Sequence, residues 1–299
     1  MNVAPKALRR VRRLLSPSGP PGGRTAGLAF VWLKFRYRWS VWRAGGQRPG
    51  EAPHVSFLIC GTQKGGTTAL AEYLRLHPEI QMARTKELHF FDNEKNFAGG
   101  APDYDDYHAC FHPIKPGALL GEATPIYMYW RDAARRIQAY NPRIKIVMIL
   151  RNPVDRAYSH WNMERARGQE SLSFQDALEA EPARARAALP LQHRVYSYVD
   201  RGFYSLQIRR FWELFGREQV LVLLSEELKS SPQATLAKVH RFLGVKEIAP
   251  PQALVRHALN YDTPMTPQER NRLNPLFESD ISELERMLDI DLTSWRSPA

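Results

Sequence analysis

Between an apolar run at residues 55–60 and a helix-forming stretch stand Gly61, Thr62, Gln63, Lys64, Gly65, Gly66, Thr67 and Thr68. These residue types suit an anion. Gly65 and Gly66 let the backbone approach a ligand closely, and Lys64 brings a positive charge. Thr67 and Thr68 offer hydroxyls where a helix start presents its N–H groups and the positive end of its dipole. A second group follows another apolar run, KIVMIL: Arg151 comes directly after it, and Ser159 lies in the helix beyond. A guanidinium can take two phosphate oxygens with its planar fork, and a serine hydroxyl can donate to a third. Taken singly, the first group favours an anion over an ordinary tight turn, and the second reads rather as a cap or structural ion pair. Together they suit a nucleotide with phosphates at both ends of its ribose. The first loop lacks the Gly-Lys-Ser/Thr ending of nucleoside triphosphatases, which opposes their magnesium-triphosphate chemistry.

Elements that could position these loops are legible from about residue 54 onward. Short apolar runs predict strands at residues 55–60, 119–122, 145–150 and 220–224. Helices are expected at residues 66–76 and 131–140, after Arg151-Asn152-Pro153 to about Arg165, and at 174–180, 204–215, 232–243 and 267–288. The alternation implies an α/β fold, a single domain whose central parallel sheet is flanked by helices on both faces. In such sheets ligands sit beyond the carboxyl ends of the strands, where both loops fall. No internal repeat and no dividing linker interrupts the pattern.

The formal net charge of +11 over 299 residues is unevenly placed. Residues 1–50 hold 11 Lys and Arg and no acidic residue, which leaves 31 basic and 31 acidic residues in the rest. A nucleic-acid binder would interleave cations through its body, so no nucleic-acid partner is expected. Cys60 and Cys110 have no metal-like spacing; two buried or free thiols in a reducing compartment are expected, with no metal. Residues 1–24 are basic and then rich in Pro, Gly and Ser, which predicts a partly disordered tail. In residues 26–43, a helix of roughly 100° per residue would put Leu28, Val31, Trp32, Phe35, Trp39 and Trp42 on one face. Charges interrupt that run too often for a membrane span. Two readings stay open: a helix lying in a membrane interface, or one packing its aromatic face on the domain. No cleavable signal pattern is evident, so a cytoplasmic location, peripheral on a membrane, is expected.

The segments TQKGGTTAL and LRNPVDRAYSHW resemble the 5′- and 3′-phosphate-binding segments of sulfotransferases that use 3′-phosphoadenosine 5′-phosphosulfate (PAPS). KELHFFD at residues 86–92 is similar to the glycosaminoglycan, or heparan-sulfate-type, branch of that superfamily. RGFYSLQIRRFWELFG, VLLSEEL and VHRFLGV agree in order and spacing, so the likeness spans residues 54–295 and leaves the tail outside. The resemblance implies a P-loop-like sulfotransferase fold and PAPS as co-substrate. It assigns Lys64, Gly65, Gly66, Thr67 and Thr68 to the 5′-phosphosulfate, and Arg151 and Ser159 to the 3′-phosphate. Gly202 and Tyr204 fall in a segment that runs near the nucleotide in relatives. Glu87 matches the family's catalytic carboxylate. As the base it would take a proton from the acceptor hydroxyl, helped if burial raised its pKa toward neutrality. His89 would point the same way if residues 86–90 were extended. Lys64 would neutralise charge on the leaving group. Asn260 and Tyr261 match a loop that closes over the ligands in relatives. Ala123, in GEATP, stands where some glycosaminoglycan-modifying relatives carry lysine, which argues against a highly sulfated acceptor.

The resulting expectation is in-line sulfuryl transfer to a hydroxyl of a carbohydrate or glycolipid. Within the same chemistry, the acceptor could instead be a protein tyrosine or a small molecule. Two other classes compete. A P-loop kinase or nucleoside triphosphatase would prefer magnesium-ATP. A non-catalytic, membrane-associated anion binder would have no need of Glu87.

Overall fold

The structure, a computed structural model, describes residues 54–250 and 264–296. The basic tail, the helix expected at 26–43, and Asn260 and Tyr261 lie outside the described residues. Five strands form one sheet: β1 (Phe57–Gly61), β2 (Ile80–Met82), β3 (Leu119–Ala123), β4 (Lys145–Leu150) and β5 (Val220–Leu224). Their order is β2-β3-β1-β4-β5, and every pair is parallel. The predicted α/β architecture is therefore the observed one. β2 is an addition to it, because three residues, IQM, are too few to show a strand period.

Alternation along the central strands feeds two cores. Leu58, Cys60, Ile146, Met148 and Leu150 face one way, and Phe57, Ile59, Val147 and Ile149 the other. The second face is covered by α1 (Thr67–Arg75), through Leu70 and Leu74, and by helix Pro232–Leu243, through Leu236 and Val239. Between α1 and β4 come α2 (Tyr104–Ala109), α3 (Ile126–Tyr129) and α4 (Ala133–Tyr140). They join the first face, together with α5 (Pro153–Ala166), α6 (Phe174–Ala188) and α7 (Tyr204–Phe215). The long helix Pro267–Leu288 packs there too, through Leu273, Phe277, Ile281 and Leu284. Cys60 and Cys110 are free and buried. α6 runs on through Pro182 to Ala188, beyond residue 180 where the sequence pattern had stopped. Tertiary bonds hold that extension: the Glu181 carboxylate accepts the N–H groups of Val199 (2.9 Å) and Asp200 (2.9 Å).

The chain leaves β1 for β2 and β3 on one side, then crosses to β4 and β5 on the other. α1 departs onto one face of the sheet and α5 onto the opposite face, which opens a crevice at the carboxyl ends of β1 and β4. The sheet is pinned beneath it by close packing. Phe57 pairs in register with Gly121, and a Cβ on Gly121 would overlap the Phe57 ring, which is fully buried and cannot swing away. Gly121→Ala should therefore lower unfolding stability by about 1–3 kcal/mol, the usual cost of overpacking a core. Urea denaturation at neutral pH checks it.

Candidate active site

The first loop turns within a narrow space. Thr62 N–H donates to the Ile149 carbonyl (2.8 Å) and Gly65 N–H to the Thr62 carbonyl (2.9 Å). A Cβ on Gly65 would stand 2.5 Å from the Ile149 oxygen, so no other residue fits unless the backbone moves. Gly66 caps α1 at φ 107°, a left-handed conformation suited to glycine, and no side chain caps that helix. The N–H groups of its first turn are thus available to an anion. Thr67 is buried and Thr68 half-buried at this helix start. Lys64 adopts φ 69°, which is unusual for a residue with a side chain.

The second loop meets the first. Arg151 Nη1 donates to the Lys64 carbonyl (3.3 Å). Asn152 caps α5 by accepting from Val154 N–H (2.9 Å) and Asp155 N–H (3.3 Å), and Ser159 is buried on that helix. Gly202 and Tyr204 stand behind this loop, both buried. The Tyr204 hydroxyl donates to the Arg151 carbonyl (2.9 Å). A Cβ on Gly202 would lie 2.5 Å from the Phe277 ring, so its glycine lets two elements pack. Asp280 in turn accepts from the N–H of Tyr204 (2.8 Å) and of Ser205 (3.2 Å), capping α7.

This is a positive site. Burial, then the neighbouring Arg151 and Arg167, push the Lys64 ammonium below its ordinary range. His160, buried beside it, is driven far down by burial and by Arg201, Arg156, Lys64 and Arg167. Among the described residues, neither Lys64 nor Arg151 has a carboxylate within ion-pair distance.

Glu87 and His89 approach from the β3 side, where Glu87 N–H donates to the Ala123 carbonyl (3.0 Å) at the strand end. Two expectations are corrected here. Residues 86–90 are not extended: Glu87 has φ 63° and His89 φ 52°. The two side chains still meet, with His89 Nε2 3.8 Å from Glu87 Oε2, because two left-handed residues curl the segment back. Nor does burial carry Glu87 toward neutrality. Burial lifts its carboxyl, but Lys86, at 2.5 Å, together with His89 and Arg167 outweighs that and leaves it below its ordinary value. His89 donates through Nδ1 to Asp92 (2.9 Å), which raises its pKa above the ordinary 6.5 despite burial. Asp92 is also held by Arg194 Nη1 (2.5 Å).

A family model described as Sulfotransferase domain matches residues 55–261. The chain belongs to the sulfotransferase family. Human heparan sulfate glucosamine 3-O-sulfotransferase 6 is 34% identical over 203 residues, covering 67% of this chain and 55% of that protein. The human bifunctional heparan sulfate N-deacetylase/N-sulfotransferase 2 is 32% identical over 200 residues, covering 63% of this chain and 22% of its own length. The chain thus spans about half the length of the first relative and much less of the second. A sulfotransferase from Alicyclobacillus acidocaldarius superposes with a TM-score of 0.71 at 31% identity, over 82% of this chain and 100% of that one. Mouse SULT7A1, solved in complex with PAP, shares the fold at a TM-score of 0.51 and 17% identity, over 82% of this chain and 91% of that one.

In this sulfotransferase domain, sequence reasoning missed Gln63, Asp92, Arg194 and Arg201. Asp92 lay within the KELHFFD segment and Arg201 within RGFY, but nothing in either segment announces a partner. The raised His89 pKa carries a pH signature. Its pairing with Asp92 adds stability below pH 6.5, and that stability is lost as pH rises through the higher folded-state value. Asp92→Asn should therefore destabilise the domain more at pH 5 than at pH 9. The difference should be under about 1 kcal/mol, because His89 is partly exposed to solvent. Paired urea titrations measure it.

Proposed function

We propose that this domain transfers a sulfuryl group from PAPS to a hydroxyl of an acceptor, in the first instance a saccharide. One observation carries the reading: loops from β1 and β4 bring Lys64 and Arg151 together at a glycine-shaped helix start, and neither cation has a carboxylate partner among the described residues. Such a site suits a ligand with two anionic ends. The chemistry of its donors also fits PAPS, which when bound supplies the sulfuryl group and a phosphate leaving group.

Lys64, the N–H groups at the start of α1 and the hydroxyls of Thr67 and Thr68 would hold the 5′ end, and Arg151 and Ser159 the 3′-phosphate. Glu87 takes the acceptor proton. Its lowered pKa keeps it ionised at neutral pH, and Lys86 must loosen before the carboxylate can accept. Asp92 holds His89 beside Glu87, which fixes the direction of approach. As the acceptor oxygen bonds to sulfur and the bridging oxygen departs, Lys64 meets the charge that develops on the leaving phosphate.

The names of the heparan-sulfate-directed relatives support a saccharide acceptor. Ala123 is small and buried and uses its carbonyl on Glu87 N–H, so this position adds no cation to the acceptor side. That favours an acceptor that is not densely sulfated.

Calorimetric titration with 3′-phosphoadenosine 5′-phosphate (PAP), beside magnesium-ATP, tests the reading. PAP should bind and magnesium-ATP should bind far more weakly; the reverse order sinks the assignment. Lys64→Ala and Arg151→Ala should each weaken PAP binding by roughly 10–100-fold, the scale of a lost charge-assisted contact. Glu87→Gln should keep PAP affinity and lose transfer of labelled sulfate to a saccharide panel. Full turnover in that variant would remove Glu87 as the base.

A further inference from the structure

Arg201 is 1% exposed, yet no carboxylate lies within ion-pair distance of it among the described residues. A buried cation is costly unless its surroundings answer it with hydrogen bonds. Here all the answers are neutral oxygens, and they come from different parts of the site. Nη1 donates to the Gln63 side-chain oxygen in the first anion loop. Nη2 donates to the Arg194 carbonyl (2.6 Å), and Nε to Ser197 Oγ (2.8 Å). The guanidinium also lies 4.8 Å from the centre of the Tyr129 ring. Arg194, whose backbone is fixed this way, sends its own guanidinium over Trp130 (4.3 Å) and onto Asp92, the group that holds His89. Glu181 secures the same segment from α6 by accepting from Val199 and Asp200.

We propose that Arg201 is a positioning residue that ties the anion loop at Gln63 to the base cluster of Glu87 and His89 through Arg194 and Asp92. The proposal rests on the sulfuryl-transfer reading for its purpose, though not for its geometry. Donor and acceptor must meet in line, and a small error in their relative placement costs rate steeply. The two halves of the site leave different strands, β1 and β2, the second tied to the end of β3 through Glu87 N–H, and each loop contains left-handed residues that need outside support. One planar, rigid fork that bonds to Gln63 on one side and to Arg194, which holds Asp92, on the other keeps them in register. Lysine in its place would keep the charge but could not span the same three acceptors.

The test reads His89 directly, without needing the acceptor. The charged groups near its ring are Asp92, Glu87 and Arg194, and Arg194 holds its pKa down. In the 299-residue chain labelled at histidine, the His89 titration is followed by NMR, assigned with His89→Gln. Arg201→Lys retains the positive charge, so any movement arises from released geometry. Once Arg194 loses its anchor and leaves Asp92, the His89 pKa should rise by about half a unit or more. Arg194→Gln should raise it in the same direction, and the double variant should go no further than Arg194→Gln alone. PAP affinity in Arg201→Lys should fall roughly tenfold as Gln63 loses its tether. Should Arg201→Lys not fold, Ser197→Ala, which removes the Nε acceptor together with the hydroxyl's own bond to the His193 carbonyl, is expected to shift His89 upward by less. An unchanged His89 titration in the folded variant, or additive shifts in the double variant, overturns the proposal even if melting temperature drops. Failure of the wild-type chain to bind PAP would instead overturn the sulfuryl-transfer reading, and the His89 comparison would still decide the positioning role.

Discussion

Lys64 and Arg151 repel each other, and the site depends on holding them together regardless. The repulsion shows in the Lys64 ammonium, which burial and then Arg151 push below its ordinary range. The fold opposes that repulsion with neutral hydrogen bonds and packing. Arg151 donates to the Lys64 carbonyl, Tyr204 holds the Arg151 carbonyl, and Asp280 caps the helix that carries Tyr204. Gly65 fits against Ile149 with no room for a side chain. Such a site is charged in advance, so the anionic ligand proposed for it would supply the missing counter-charge and need little rearrangement of the protein.

Strain gathers where the chemistry is placed. Among the described residues, four that are not glycine have positive φ, and three of these are Lys64, Glu87 and His89. Left-handed backbone in residues with side chains costs on the order of 1–3 kcal/mol each and persists only where neighbours enforce it. The enforcement is visible for each. Arg151 and the packed Gly65 hold the turn around Lys64, the Ala123 carbonyl fixes Glu87 N–H, and Asp92 fixes the His89 ring. Three of the four strained positions are thus ones whose side chains the proposed reaction uses; the fourth, Asp289, ends the helix Pro267–Leu288.

The parallel sheet explains why so few elements suffice. β1 is the middle strand, so its exit loop neighbours the exits of both β3 and β4. β4 brings Arg151 from one side, and β3 brings the anchor for Glu87 from the other. The crossing helices α1 and α5 leave on opposite faces, and the crevice between them needs no lid or second domain to exist.

The sequence by itself determined the strands of the sheet's centre, three helices to the residue at Tyr204–Phe215, Pro232–Leu243 and Pro267–Leu288, and the place of the two loops that leave β1 and β4. These are local matters: a side-chain period, a proline or glycine at a boundary, a lysine beside two glycines. Tertiary structure decided the rest. Gln63 and Arg201 are 138 residues apart, and Asp92 and Arg194 are 102 apart, so no spacing rule could pair them. It decided the ionisation of Glu87, where Lys86, His89 and Arg167 outweigh burial, and the curl that brings His89 beside it. Periodicity is written along the chain, whereas Coulomb energy and hydrogen bonding depend on distance through space, which only the folded backbone sets.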